Sequence, residues 1–123
     1  GMKISYIWGY NKTQPVAKLE NIAYSSIPTT LITAIQNATN STTGTEAQII
    51  TALNALRTST DVNLQKAMIT TLTYKPLIGV STITDPKGQI TTYEYDSFGR
   101  LQRVKDHLGN ILSENEYHYR TQN

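Results

Sequence analysis

The N-terminal part of the chain alternates between apolar and polar residues with a period of two, which is typical of a β-strand. Over residues 3–10 this alternation places four residues on one face, Ile4, Tyr6, Trp8 and Tyr10. A polar stretch that ends in Pro15 predicts a turn, and a second extended piece is expected over residues 16–22. Residues 1–25 are therefore predicted to form an N-terminal hairpin.

The apolar spacing changes to three and four residues between residues 26 and 65, which predicts helices. A first helix is expected over residues 28–39, with the apolar positions Leu31, Ile32, Ile35 and Ala38. A second helix is expected over residues 46–57, because Thr45 and Gln48 have the spacing of a capping box and an apolar face follows. The polar tract between the two predicts an exposed loop, so residues 26–65 are interpreted as a helical insertion.

From residue 66 onward the strand pattern returns, and three tetrads of the form D-x-x-G divide it. The tetrads begin at Asp85, Asp96 and Asp106 and end at Gly88, Gly99 and Gly109. In a type I turn the aspartate accepts hydrogen bonds from the following amides, and the final glycine adopts a positive φ that closes an antiparallel hairpin. Residues 66–123 are therefore predicted to form a β-meander. The predicted fold class is α+β, mainly β, with an inserted pair of helices.

The segment DPKGQITTYEYDSFGRLQRVKDHLGN and its surroundings, residues 79–119, resemble the YD repeats of RHS-type proteins. The residues that carry this resemblance are Tyr95, Asp96, Gly99, Arg100, Leu101, Asp106 and Gly109. The N-terminal segment YIWGYNKTQPVAKLE also resembles the lead-in found in RHS-like proteins of Bacteroidetes-type bacteria.

The resemblance implies that the chain is a piece of a much larger bacterial protein, secreted or located at the cell surface. Such families wind long β-meanders into a sheet or shell and have been linked to carbohydrate binding and cell contact. Neighbouring repeats of the parent protein are then the expected partners. Because this chain holds barely two repeats, we expect open strand edges, at which a second copy of the isolated chain can pair to form a homodimer.

Aromatic residues on the predicted strands are candidates for stacking against a ligand. They are Tyr6, Trp8, Tyr10, Tyr93, Tyr95, Tyr117 and Tyr119. Internal packing of the sheet is the favoured interpretation, and contact with a carbohydrate is the alternative. Eleven Lys and Arg against nine Asp and Glu leave a formal net charge of +2. Binding of nucleic acid is not expected, because neutralising its phosphates needs a much denser positive surface.

Side chains that could support catalysis are better explained by structural roles. A glycosidase needs two carboxylates that flank the scissile bond, and the available ones are Glu94, Asp96, Asp106, Glu114 and Glu116. Asp96 and Asp106 begin predicted turns, and glutamates at alternating strand positions are expected to face solvent. His107 and His118 have no third ligand at the spacing of a metal site. The sequence contains neither G-x-S-x-G nor a phosphate-binding glycine loop. We predict no enzyme activity, no cofactor and no metal.

The length of 123 residues is that of a single domain. Gly1 before Met2 is typical of a scar left by cleavage of a tag, and the chain is expected to be excised from a larger one. There is no cysteine, and no apolar run approaches the roughly 20 residues that span a bilayer, so membrane insertion is not expected. The function that the sequence predicts is a non-catalytic structural or interaction module of an RHS-repeat protein. The alternative is a surface module that contacts carbohydrate through exposed Tyr and Trp side chains.

Overall fold

The computed structural model describes residues 2–115, and within them the chain forms one seven-stranded antiparallel sheet. Each strand pairs with the next one along the sequence, so the sheet is a pure meander. The strands are β1 (Ile4–Gly9), β2 (Gln14–Glu20), β3 (Met68–Lys75), β4 (Gly79–Thr84), β5 (Ile90–Tyr95), β6 (Leu101–Lys105) and β7 (Ile111–Glu114). The predicted fold class, α+β and mainly β, is confirmed.

The helices lie between β2 and β3 in the sequence. They are α1 (Thr29–Asn40), α2 (Glu46–Thr58) and α3 (Val62–Gln65), preceded by one turn of 3-10 helix (Tyr24–Ser26). The capping box of α2 is present, because the Thr45 side chain accepts a hydrogen bond from the Gln48 amide and the Gln48 side chain accepts one from the Thr45 amide. The short α3 was not predicted, although Asp61 caps its first turn in the usual way. None of these helices combines the length and the apolar character needed to cross a bilayer.

The hydrophobic core lies between the helices and one face of β1 to β3. In β1 the buried positions alternate with exposed ones, as the sequence predicts for a strand with one covered face. The buried hydrophobic residues are Ile7, Val16, Ala17, Leu19, Ile22, Ile27, Ile32, Ile35, Leu53, Leu56, Leu64 and Ile69. Every buried hydrophobic residue in the described part of the chain therefore lies between positions 7 and 69.

Beyond the core, the helix-side face of the sheet becomes steadily more polar. After Ile69, the buried positions on β3 and β4 are hydroxyl residues, Thr71, Thr73, Ser81, Thr82 and Thr84. On β5 to β7 the register places Glu94, Arg103, Lys105 and Glu114 on the same side. Strands β5 to β7 hold no buried residue, so they form a single-layer extension of the sheet that depends on pairing with β4.

Candidate functional site

The three D-x-x-G turns share one geometry, shown here for the second turn. Oδ1 of Asp96 accepts hydrogen bonds from the amides of Phe98 at 2.8 Å and Arg100 at 3.0 Å. The backbone closes the turn, because the Gly99 amide donates to the Asp96 carbonyl at 3.0 Å. Asp85 and Asp106 accept the equivalent bonds from the amides two and four residues further on. The positive φ predicted for the glycines is confirmed, at 85°, 78° and 84° for Gly88, Gly99 and Gly109.

The second oxygen of Asp96 is also occupied. Arg100 Nε lies 2.9 Å from Asp96 Oδ2, and its guanidinium carbon lies 5.2 Å from the centre of the Phe98 ring. The Arg100 amide is the largest influence that lowers the pKa of Asp96 below its usual value, although partial desolvation opposes it. A carboxylate held ionised by two backbone amides and one guanidinium group is suited to fixing a turn rather than to donating a proton.

Gly99→Ala is expected to destabilise the β5–β6 hairpin by about 1 kcal/mol, because an L-residue at positive φ is strained. A Cβ at this position would meet nothing within 4 Å, so the cost comes from the backbone alone. The measurement is hydrogen exchange of the β5 and β6 amides, which should become about five-fold faster. Ser97→Ala, at an exposed position of the same turn, is the control. Equal exchange in the two variants would contradict the strained-turn assignment.

The remaining carboxylates of β5 to β7 form a ladder of ion pairs across three strands. Glu94 lies 3.2 Å from Arg103 and 3.1 Å from Lys105, and Glu114 lies 2.8 Å from Arg103. Hydrogen bonds from Lys105 and then Arg103 lower the pKa of Glu94. A general acid in a glycosidase needs the opposite, a raised pKa. This arrangement favours a role in strand pairing, in keeping with the structural interpretation of these residues.

The remaining candidates for acid-base or metal chemistry are His107, Glu116 and His118. His107 is exposed in the third turn, whereas Glu116 and His118 lie outside the described residues. Residues 2–115 contain no group of three or more His, Asp or Glu side chains that could hold a metal ion.

Two of the aromatic candidates lie on the face of the sheet that the helices leave open. Tyr6 is 45% exposed and Trp8 is 46% exposed, and both alternate with buried residues of β1. Internal packing therefore does not explain these two side chains. Tyr10 departs from the predicted alternation, because its φ of 53° ends the strand and its ring packs against Tyr74 instead.

The tyrosines of β5 are partly buried. Tyr95 Oη donates to the Val80 carbonyl at 2.7 Å, and its ring approaches Gly79 so closely that a Cβ there would lie 2.7 Å from the hydroxyl. Burial raises the pKa of Tyr95. Tyr93 lies opposite Val104 in the β5–β6 register. Tyr95 thus anchors β5 to β4, while Tyr117 and Tyr119 lie outside the described residues.

Sequence reasoning missed a groove of about 850 Å³ at one end of the sheet. It lies between the β1–β2 turn, the β3–β4 turn and the loop that joins α1 to α2, and its lining includes Tyr10, Glu46, Tyr74, Lys75 and Leu77. These residues are spread over 68 positions of the sequence, so no local motif could have indicated the groove.

The backbone at the rim of this groove is strained. Tyr10, Asn11 and Lys12 are left-handed, with φ of 53°, 56° and 66°. The end of α1 holds this turn, because the Tyr10 amide donates to Thr39 Oγ1 at 3.1 Å and the Asn11 amide donates to the Asn40 side chain at 2.6 Å. Strain of this kind persists only where surrounding contacts fix it, and it is concentrated at functional sites.

The meander and its Asp-initiated, Gly-terminated turns define the class of the C-terminal half: a β-sheet built from repeated hairpins. Comparison with known families makes this specific, because the RHS Repeat family matches residues 79–111. The chain therefore carries an RHS repeat, as the resemblance predicted. The matched segment runs from the start of β4 to the start of β7. No curated protein and no solved structure shows significant similarity to the chain.

Proposed function

We propose that the chain is a non-catalytic structural and interaction module of a larger RHS-repeat protein, in which it closes one edge of a sheet of repeats. The observation that carries this proposal is the missing core of the matched segment. Residues 79–111 contribute no buried hydrophobic side chain, and β5 to β7 lie in a single layer. Repeats of this kind gain stability by packing on their neighbours.

The two edge strands of the sheet, β1 and β7, differ in their surroundings, which supports the addition of further repeats at β7 rather than at β1. At the β1 edge, α1 supplies polar partners, because the Gln36 side chain donates to the Trp8 carbonyl at 3.2 Å and Thr39 accepts from the Tyr10 amide. At the β7 edge, Ile111 and Leu112 are 53% and 61% exposed. Within residues 2–115 no further strand pairs with β7, and an unpaired edge is a template for a further strand. The helical layer acts as a cap at one end, and β7 accepts the next repeat at the other.

A cell-surface or secreted location fits this role. RHS repeats form a structural repeat family, and proteins that carry them are typically found at the surface or secreted. In such a setting the neighbouring repeats of the parent protein are the partners of this module.

The test is to lengthen the sheet. A version in which residues 96–115 are repeated once directly after residue 115 should slow hydrogen exchange of the β7 amides at least about ten-fold, because a new strand pairs with them. A version that carries the same added residues in scrambled order is the control. Light scattering of each sample separates pairing within one chain from pairing between two copies. Unchanged exchange in β7, in a monomeric sample, would contradict the proposal.

Contact with carbohydrate is a second candidate function, favoured by the open face of β1. Flat aromatic side chains stack on the apolar faces of sugars, and Tyr6 and Trp8 lie two residues apart on this face. Their cross-strand neighbours are Lys18 and Pro15.

Because Trp8 is the sole tryptophan, its fluorescence reports directly on such contact. Titration with soluble oligosaccharides should change this fluorescence, with little dependence on salt. Tyr6→Ala should weaken the binding several-fold, while Tyr24→Ala, which removes a tyrosine that is 49% exposed elsewhere, should not. The absence of any response in the unaltered chain would exclude this function for the sugars tested.

A further inference from the structure

The groove at the end of the sheet contains the carboxylate of Glu46. Glu46 begins α2, and its two carboxylate oxygens lie 2.9 and 3.0 Å from the Ser81 hydroxyl. The Thr73 hydroxyl lies 3.4 Å from one of them. No Lys or Arg of residues 2–115 forms an ion pair with Glu46. These two hydroxyl groups supply at most two protons, and a carboxylate has about four lone-pair sites, so Glu46 keeps about half of its capacity to accept hydrogen bonds.

Two tyrosine rings line the same groove, and their hydroxyl groups are already used within the protein. Tyr74 Oη donates to the Pro15 carbonyl at 2.7 Å, and Tyr10 Oη accepts from the Tyr74 amide at 3.0 Å. The rings meet edge to face, with centres 5.5 Å apart and an angle of 87°. Burial raises the pKa of Tyr10, and the negative charge of Glu46 adds to this rise. What the tyrosines offer a ligand is ring surface, which attracts cations.

The groove is also preformed. The left-handed turn at Tyr10, Asn11 and Lys12 borders one side, and Leu77, with φ of 65° and a fully exposed side chain, lies on the other. Four of the five left-handed non-glycine residues in the described chain thus lie at or beside this groove. A rim that is fixed before binding loses little entropy when a ligand enters.

We propose that this groove binds an arginine side chain presented by a partner polypeptide. A guanidinium group donates two parallel N–H bonds, which match the two oxygens of a carboxylate, and its flat face stacks on aromatic rings. A lysine ammonium is a point charge and uses this geometry less well. The volume of about 850 Å³ exceeds the needs of one side chain, so the neighbouring backbone of the partner also lies in the groove.

Lys75 provides a second test of the proposal, because removing its charge should affect binding in the opposite direction to removing that of Glu46. It lines the same groove, is exposed, and forms no ion pair in the described residues. Its charge opposes the entry of a cation, so removing this charge should strengthen binding.

The groove is formed by β1 to β4 and the helices, so this proposal does not depend on growth of the sheet at β7. A failure of one proposal leaves the other intact.

The test is a titration of the full chain with N-acetyl-arginine methylamide. Binding is measured from the NMR chemical shifts of the Glu46 and Tyr74 amides. The neutral citrulline analogue, which has nearly the same shape, is the control ligand. We expect Glu46→Gln to weaken arginine binding about ten-fold and Lys75→Gln to strengthen it about three-fold, as expected for partly screened charges. Circular dichroism shows whether each variant keeps its fold.

Three results would overturn the proposal. They are the absence of any shift with the arginine compound up to its solubility limit, equal affinity for the citrulline compound, and tighter binding of the matching lysine compound. The comparison of arginine with citrulline uses the unaltered chain, so the proposal stays testable even if Glu46→Gln fails to fold. Affinity that falls as salt rises, together with the opposite effects of the two variants, supports it.

Discussion

Leu53→Ala lowers the free energy of unfolding by about 3 kcal/mol, whereas Leu112→Ala is expected to change it by less than about 0.5 kcal/mol. Both substitutions remove the same atoms from a leucine. Leu53 is 1% exposed in the core between α2 and the sheet, and Leu112 is 61% exposed on β7. The large effect includes the cavity that the missing side chain leaves in a close-packed interior. Urea unfolding followed by circular dichroism measures both values.

This contrast tests where the stability of the molecule resides. If the core lies between positions 7 and 69, the repeat segment is held in place by the pairing of β4 with β3 and by the hydrogen bonds of Arg57, and it contributes little hydrophobic stabilisation of its own. Similar losses in the two variants would show that β7 packs against apolar surface, and would contradict this division of the chain. If only Leu53→Ala lowers the free energy of unfolding, the stability of the repeat segment depends on the packing of the helices against the sheet.

The parts of the fold that could be predicted from the sequence are those that neighbouring residues determine. The capping box at Thr45 and Gln48 and the D-x-x-G turns each act over three or four positions, so the sequence pattern contains the whole interaction. The short α3 has such a signal as well, because Asp61 accepts hydrogen bonds from the next two amides beyond Val62. Its apolar pattern is too short to reveal a helix by periodicity.

Other features depend on contacts between distant residues and could not be predicted. The alternation in β1 places Tyr10 beside Trp8, but the structure turns it toward the core, because Thr39 holds its amide from 29 positions away. The same docking explains Gly9, where a Cβ would lie 2.5 Å from Thr39 Oγ1. The orientation of a residue at the end of a strand depends on the element that packs against it. The apolar and polar alternation of the strand itself gives no information about that element.

One signal for the groove and the helical layer was present in the sequence. Between positions 21 and 60 the chain holds only two charged residues, Glu46 and Arg57. They lie at opposite ends of α2, and both reach the hydroxyl-rich face of β3 and β4. A charge that packs against a sheet face is costly to desolvate, so each of these two side chains needs hydrogen-bonding partners there.

Arg57→Met is accordingly expected to lower the free energy of unfolding by about 3 kcal/mol. The guanidinium group donates to the carbonyls of Ile69 at 2.9 Å, Thr84 at 2.9 Å and Asp85 at 3.1 Å, and to the Thr71 hydroxyl at 3.0 Å. Burial lowers the pKa of Arg57, partly offset by Asp85. Methionine fills similar space but leaves these carbonyls without their donor. Urea unfolding measures the loss.

Arg57→Lys should give an intermediate loss, because one ammonium cannot reach all of these acceptors in the same geometry. Lys66→Met removes an equal charge at an exposed position and should change stability by less than about 0.5 kcal/mol. Because Arg57 joins α2 to the end of β4 and to the first D-x-x-G turn, hydrogen exchange at that turn should rise in Arg57→Met as well. If Arg57→Met proves as stable as Lys66→Met, the repeats are not anchored to the helical layer through this guanidinium, and pairing of β4 with β3 alone would have to hold them.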